Sequence, residues 1–192
     1  LENIERAIVE LTNKQPHTVM FGIPLIHRVG GIGSTCKVEG LDIGNVVNRT
    51  DHSQSGAVMA FRILDRMEFP PEEIAAIVSA IGNHDEGTGV PVNPVAAALI
   101  IADKSDVRRS RVRDQKTVTT DIHDRVNYAV TGSSLKVDPQ ERKISLNLQV
   151  DESICSMYEY FDIFLGRMMM CRGAAEMLGA QFRLSVNGGK VL

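Results

Sequence analysis

Histidine and aspartate side chains recur between residues 42 and 106, in segments predicted to fold as helices or as the turns beside them. The residues concerned are Asp42, His52, His84, Asp85, Asp103 and Asp106. Imidazole nitrogens and carboxylate oxygens are the ligands of divalent metals such as Mn, Fe, Ni, Zn and Mg. The set therefore predicts a site for one or two divalent metal ions, and leaves the identity of the metal open.

The separations within this set do not identify a site by themselves. Asp42 and His52 are 10 residues apart, His52 and His84 are 32, and His84 and Asp103 are 19, unlike the close ligand spacings of a zinc finger. Their context is more informative, because His84 follows the end of one predicted helix and Asp103 lies where an almost wholly apolar helix becomes polar. A single histidine near a helix end is more often a cap or a surface residue, so only the combination favours a metal site.

Residues that suit a phosphorylated substrate follow Asp103. Lys104 could reach a substrate phosphate, and Asp106, like Asp85 earlier in the chain, could support a metal ligand or transfer a proton. Arg109 and Arg111 belong to the basic cluster of the chain, and guanidinium groups bind phosphate in bidentate fashion. The alternative for the arginines is a solvated charged face, and the alternative for Asp85 and Asp106 is a solvated carboxylate at a helix end.

Hydrophobic periodicity predicts the elements that would position these side chains. Apolar residues at helical spacing predict helices over 2–13, from about 53 to 67, from 71 to 82, from 94 to 103 and from 121 to 130. After residue 132 the apolar period changes to two, which predicts strands near 135–137, 144–150 and 182–186 around a long helix over 154–178. We therefore predict a mainly α protein, with a helical domain over 1–131 and a β-β-α-β appendage over 132–192.

The stretches LDIGNVVNRTDHSQSG, IGNHDEG and ADKSD resemble the HD-domain metal-dependent phosphohydrolases over roughly residues 40–113. In that family an upstream histidine, a His-Asp pair and a later aspartate bind one metal, and two further histidines hold a second. The resemblance implies that Asp42 is the catalytic aspartate of the pair, that His52 and His84 are the further histidines, and that Asp103 is the last ligand. Leu41 stands where the family carries the histidine of the pair.

The resemblance implies an HD-domain-like helical bundle, which residues 1–40 match poorly, and an enzyme that hydrolyses a phosphomonoester or a nucleotide-type substrate. His17 and His27 are the candidates for the upstream histidine. Because leucine cannot bind a metal, the alternative is a catalytically weakened HD-fold protein that binds a nucleotide or phosphorylated ligand in a regulatory role. A third interpretation is a helical dimerisation domain with incidental histidines and aspartates.

Composition narrows the class of protein. The 192 residues suit one domain, or one domain with a modest appendage, and the net charge of -3 argues against general nucleic-acid binding. An apolar run of membrane-spanning length is lacking, and the three cysteines show no CxxC spacing. We therefore expect a cytoplasmic protein without membrane contact. The wide apolar surface of the helix over 154–178 predicts a homodimer interface.

Overall fold

A computed structural model describes residues 43–112, 118 and 121–192, and in it four α-helices come before the first strand. The α-helices within these residues are α1 (His52–Arg66), α2 (Pro71–Gly82), α3 (Pro94–Lys104), α4 (Ile122–Ala129) and α5 (Met157–Met177). The strands are β1 (Val130–Asp138), β2 (Lys143–Val150), β3 (Gln181–Val186) and β4 (Gly189–Lys190). Short 3-10 turns cover Ile43–Val46 and Arg109–Arg111. The helix predicted over 2–13 lies outside the described residues.

The four strands form one mixed sheet in the order β1-β2-β3-β4. The β1–β2 and β3–β4 pairs are antiparallel, whereas β2 and β3 are parallel and are connected through α5. Side chains at alternate positions of β2 and β3 are buried, from Ile144 to Val150 and from Phe182 to Val186. One face of the sheet therefore packs into the protein, as the period of two predicts.

Helix α3 lies between two hydrophobic clusters. It begins at Pro94, and the side chain of Asn93 caps it by accepting a hydrogen bond from the Ala96 amide at 2.8 Å. Its residues are buried on nearly every side, as expected for a helix that is apolar all round. One side joins Ile43, α1 and α2 in a smaller cluster. The other side joins α4, α5 and the sheet in the larger cluster.

The prediction of a mainly α, HD-domain-like helical bundle is wrong, because the fold is mixed α/β. Of the described residues, 52% are helical and 18% are in strands. The strands predicted as an appendage instead form a sheet that shares its core with α3, α4 and α5, so this core contains residues from both sides of residue 131. The boundary between a domain over 1–131 and a subdomain over 132–192 stays a prediction.

Helix α5 begins with a reciprocal capping arrangement. Ser156 accepts a hydrogen bond from the Glu159 amide, and the Glu159 carboxylate accepts one from the Ser156 amide at 2.9 Å. Hydrogen bonds from Ser156 hold the pKa of Glu159 below its ordinary value. The cap fixes the start of the helix that covers the sheet. Among the described helices, none combines the length and apolar composition needed to cross a bilayer.

Candidate metal centre

The start of α1, which carries His52, is fixed by the 3-10 turn over Ile43–Val46. The hydroxyl of Ser55 donates to the Gly44 carbonyl at 3.3 Å, and a side chain at Gly44 would overlap the His52 carbonyl. Ile43 is buried in the smaller hydrophobic cluster. Only a glycine at position 44 therefore allows this turn to lie against the first turn of α1. The turn begins directly after the predicted ligand Asp42.

His52 and His84 are both oriented by backbone carbonyl groups. Nδ1 of half-buried His52 lies 3.0 Å from the Arg49 carbonyl, and Nδ1 of buried His84 lies 2.6 Å from the Ile81 carbonyl. A carbonyl can only accept, so each Nδ1 must carry the proton and each neutral imidazole must have its lone pair on Nε2. Metal-binding histidines are commonly oriented in this way, with one ring nitrogen donating and the other ligating.

The two imidazoles lie side by side although 32 residues separate them in the chain. Their ring centroids are 5.2 Å apart, and the rings meet at 77°. Two imidazoles that bind one ion at about 2.1 Å, with a near-tetrahedral angle at the metal, have centroids about 5 Å apart. The spacing therefore fits two ligands of a single divalent ion.

A hydrogen bond from a side chain holds together the two segments that carry these histidines. Gln54, in the first turn of α1, donates from its amide nitrogen to the Gly82 carbonyl at 2.8 Å. Gly82 is the last residue of α2, two positions before His84. The bond fixes the end of α2 against the start of α1, so the separation of the two rings is a property of the packed helices.

Asp103 belongs to a network of charges at the end of α3. The Lys104 ammonium is buried, with a side-chain exposure of 4%, and lies 2.7 Å from Asp103 Oδ2 and 3.2 Å from Glu86 Oε2. Glu86 also pairs with Arg167 of α5, at 2.6 Å. Burial acts to raise the pKa of Glu86, but the charges of Lys104 and Arg167 outweigh it and lower the pKa. The network therefore connects the loop after His84 to both α3 and α5.

The thiol of Cys171 lies on the α5 side of this network. Burial raises its pKa to about 12, and the nearby Asp103 carboxylate adds to the increase. The thiol is therefore protonated at neutral pH. Among the described residues, the cysteines Cys155 and Cys171 are both buried and unpaired as disulfides.

The predicted phosphate-binding residues make contacts within the protein. Arg109 donates from Nε to the Tyr128 carbonyl at 2.6 Å, and its guanidinium stacks 4.4 Å from the Tyr128 ring centroid. Asp106 Oδ1 lies 2.8 Å from Nε of Arg108. The backbone of Arg111 is in a 3-10 turn. Their roles in substrate binding and catalysis stay predictions.

The structure brings part of the predicted ligand set together. It places His52 beside His84, and it gives Asp103 an ion pair with Lys104. Within residues 43–112, 118 and 121–192, no three histidine, cysteine, aspartate or glutamate side chains are grouped as a metal site. The structure does not describe the remaining predicted ligand, Asp42, or the candidate ligands His17 and His27. Leu41, where the HD-domain family carries a histidine, also lies outside the described residues.

The sequence did not identify Glu86 and Arg167 as parts of this region. Glu86 is two residues after His84, but its role in the network follows only from its contacts with Lys104 and Arg167. Arg167 lies 81 residues further along the chain, and its partner is known only once α5 packs against α3. The sequence signal for Arg167 is that it is the single charged residue in the apolar run over 163–171.

Comparison of the chain with protein-family models, with curated protein sequences and with solved structures gave no match.

Proposed function

We propose that this protein is a metal-dependent phosphohydrolase related to the HD-domain enzymes, acting on a phosphomonoester or a nucleotide-type substrate. The observation that carries the proposal is the pair formed by His52 and His84. Nδ1 of each ring faces a backbone carbonyl, which directs the lone pair of a neutral ring to Nε2, and the separation of the two centroids fits one shared ion. Two imidazoles held in this way are suited to binding a divalent ion.

In this proposal His52, His84, Asp103 and Asp42 are the metal ligands. A divalent ion, when bound, supplies Lewis-acid chemistry, which neutralises phosphoryl oxygens and activates water. The contact of Lys104 with Asp103 restrains that carboxylate, and the buried ammonium of Lys104 is suited to positioning it. Asp42 and Asp106 are proposed as groups that hold or move a proton at the attacking water, and Arg109 and Arg111 as substrate-binding residues.

The test is phosphatase activity that depends on both a divalent metal and Asp103. Protein stripped with a chelator and reconstituted with Mn²⁺, Ni²⁺, Zn²⁺ or Mg²⁺ is assayed with p-nitrophenyl phosphate and nucleoside monophosphates. We expect at least one metal to restore hydrolysis, and we expect Asp103→Asn to reduce it by about a hundredfold. Asparagine keeps an oxygen near Lys104, so the fold should survive.

The matched control is Asp138→Asn, at the end of β1, which replaces another half-buried aspartate and should keep full activity. Full metal-dependent activity in Asp103→Asn would contradict the assignment of Asp103. An absence of hydrolysis with every metal and substrate in the wild-type chain would contradict the enzyme itself.

A second candidate is a regulatory protein that binds a nucleotide or phosphorylated ligand without hydrolysing it, and Leu41 is the observation that favours it. Isothermal titration with a nucleoside monophosphate in the presence of metal separates the two. Binding without turnover supports the regulatory protein, and turnover supports the enzyme. For either function we propose the cytoplasm as the compartment.

A further inference from the structure

Helix α5 presents an exposed stripe on the side opposite to its buried residues. Tyr158 is 80% exposed, Leu165 51% and Met169 46%. With polar neighbours they form a stripe, which we call the α5 seam, made of Tyr158, Asp162, Leu165, Met169, Arg172 and Glu176. Successive members are 4, 3, 4, 3 and 4 residues apart, which is the spacing of the contact positions in a coiled coil.

The α5 seam is a narrow and continuous strip. At about 100° per residue its six members span about 80° of the helix circumference. The opposite side carries Tyr160, Phe164, Met168 and Cys171, all buried in the larger hydrophobic cluster. The seam therefore does not contribute to the core of the described part of the chain, and its apolar centre lies at the surface.

We propose that the α5 seam binds the same seam of a second copy of this chain, with the two helices antiparallel about a two-fold axis beside residue 167. This arrangement places Leu165 against Met169 of the second copy, and the reciprocal pair next to it. Asp162 then faces Arg172, and Tyr158 faces Glu176, on each side of the apolar centre. A two-fold interface needs a self-complementary surface, and the α5 seam has one.

Charge selects the antiparallel direction. A parallel pair would place Asp162, Arg172 and Glu176 each against an identical charge, and facing like charges are unfavourable. The antiparallel pair places Asp162 against the opposite charge of Arg172, and it places Glu176 against the uncharged Tyr158. Within one helix Arg172 already contacts Glu176 at 3.1 Å while 53% exposed, so its remaining N–H groups can donate to Asp162 of the second copy.

Two glycines allow the helices to approach closely. Gly166 and Gly173 lie at one edge of the α5 seam, and a methyl group on either would meet no described atom within 4 Å. Glycine inside a helix costs about 1 kcal/mol relative to alanine. Packing within the described residues does not require glycine at these two positions, whereas a second helix would use the space.

A groove lined by Met157, Tyr158, Phe161, Asp162 and Leu165 offers a place for the second copy's side chains.

The proposal is independent of the phosphohydrolase assignment, and sedimentation velocity at micromolar chain concentration tests it. We expect a species of twice the chain mass of 21.1 kDa. Met169→Glu should convert it to a monomer with unchanged circular dichroism. The matched control is Met177→Glu, an equally exposed methionine outside the α5 seam, which should leave the dimer intact.

A charge exchange tests the direction of the helices. Asp162→Arg and Arg172→Asp should each raise the dissociation constant by about tenfold or more. The double variant restores opposite charges in the antiparallel pair and should return the constant to near the wild-type value. A monomeric wild-type chain would overturn the proposal, as would a dimer indifferent to Met169→Glu or a double variant weaker than both single variants.

Discussion

Replacing His84 by alanine is expected to lower metal-dependent phosphomonoester hydrolysis by about a hundredfold or more, and to weaken divalent-metal binding by a similar factor. Loss of a residue that merely orients a ligand costs about 10–100-fold, and the proposed role of His84 is the ligand itself. The measurements are kcat/KM with p-nitrophenyl phosphate at saturating metal, and calorimetric titration of the metal into chelator-treated protein.

A double-mutant cycle separates a shared ion from two independent roles. If one ion needs both imidazoles, His52→Ala and His84→Ala should each cost nearly as much as the double variant, because residues that act as a unit are not additive. His123→Ala, which removes an exposed histidine from α4, should leave both quantities unchanged. The shared ion would be contradicted if the losses in free energy from the two single substitutions simply added up to that of the double variant. This comparison requires variants that unfold at the same temperature as the wild type.

Lys104→Met is expected to lower the free energy of unfolding by about 3 kcal/mol. Lys104 is buried and pairs with both Asp103 and Glu86, so methionine keeps its bulk and removes its charge. Loss of one partner from a buried ion pair typically costs 3–5 kcal/mol. The lower part of that range applies here, because both carboxylates are partly exposed and Glu86 keeps its contact with Arg167.

The control for this variant is an exposed ion pair in the same protein. Lys143 lies 2.9 Å from Glu141, with side-chain exposures of 41% and 64%. Lys143→Met should change the free energy of unfolding by less than about 1 kcal/mol. Urea unfolding monitored by circular dichroism measures both variants. Equal losses for the two lysines would mean that the network around Lys104 does not hold α3, α5 and the loop after His84 together.

Local patterns in the sequence were sufficient for the helices and strands around the candidate site. The turn signals at Pro71 and at Asn93–Pro94 mark the starts of α2 and α3, and a period of two marks β2 and β3. These features depend on residues that are close together in the chain, so they can be predicted from a single sequence. The packing of α3 against α5, and of α5 against the sheet, depends on long-range contacts, and the prediction of a helical bundle was wrong there.

The same limit applies to individual side chains. The apolar residues of the segment predicted as a helix from about 53 to 67 include Phe61 and Met67, which are 50% and 54% exposed, whereas the small residues Gly56 and Ala60 are buried. The sequence also did not show that Lys104 is buried between two carboxylates, and its contact with a substrate phosphate stays a prediction. Periodicity identifies an apolar face, but the neighbouring elements decide which of its residues are covered.

The most direct measurement of the central claim, that His52 and His84 share a divalent ion, is the metal content of the protein purified without chelator. Elemental analysis by mass spectrometry is expected to find at least one divalent ion per chain. The ion should be lost in the His52→Ala/His84→Ala double variant and retained in His123→Ala. A wild-type chain that holds no divalent ion even after dialysis against Mn²⁺, Ni²⁺ or Zn²⁺, or a double variant that keeps its ion, would contradict the claim.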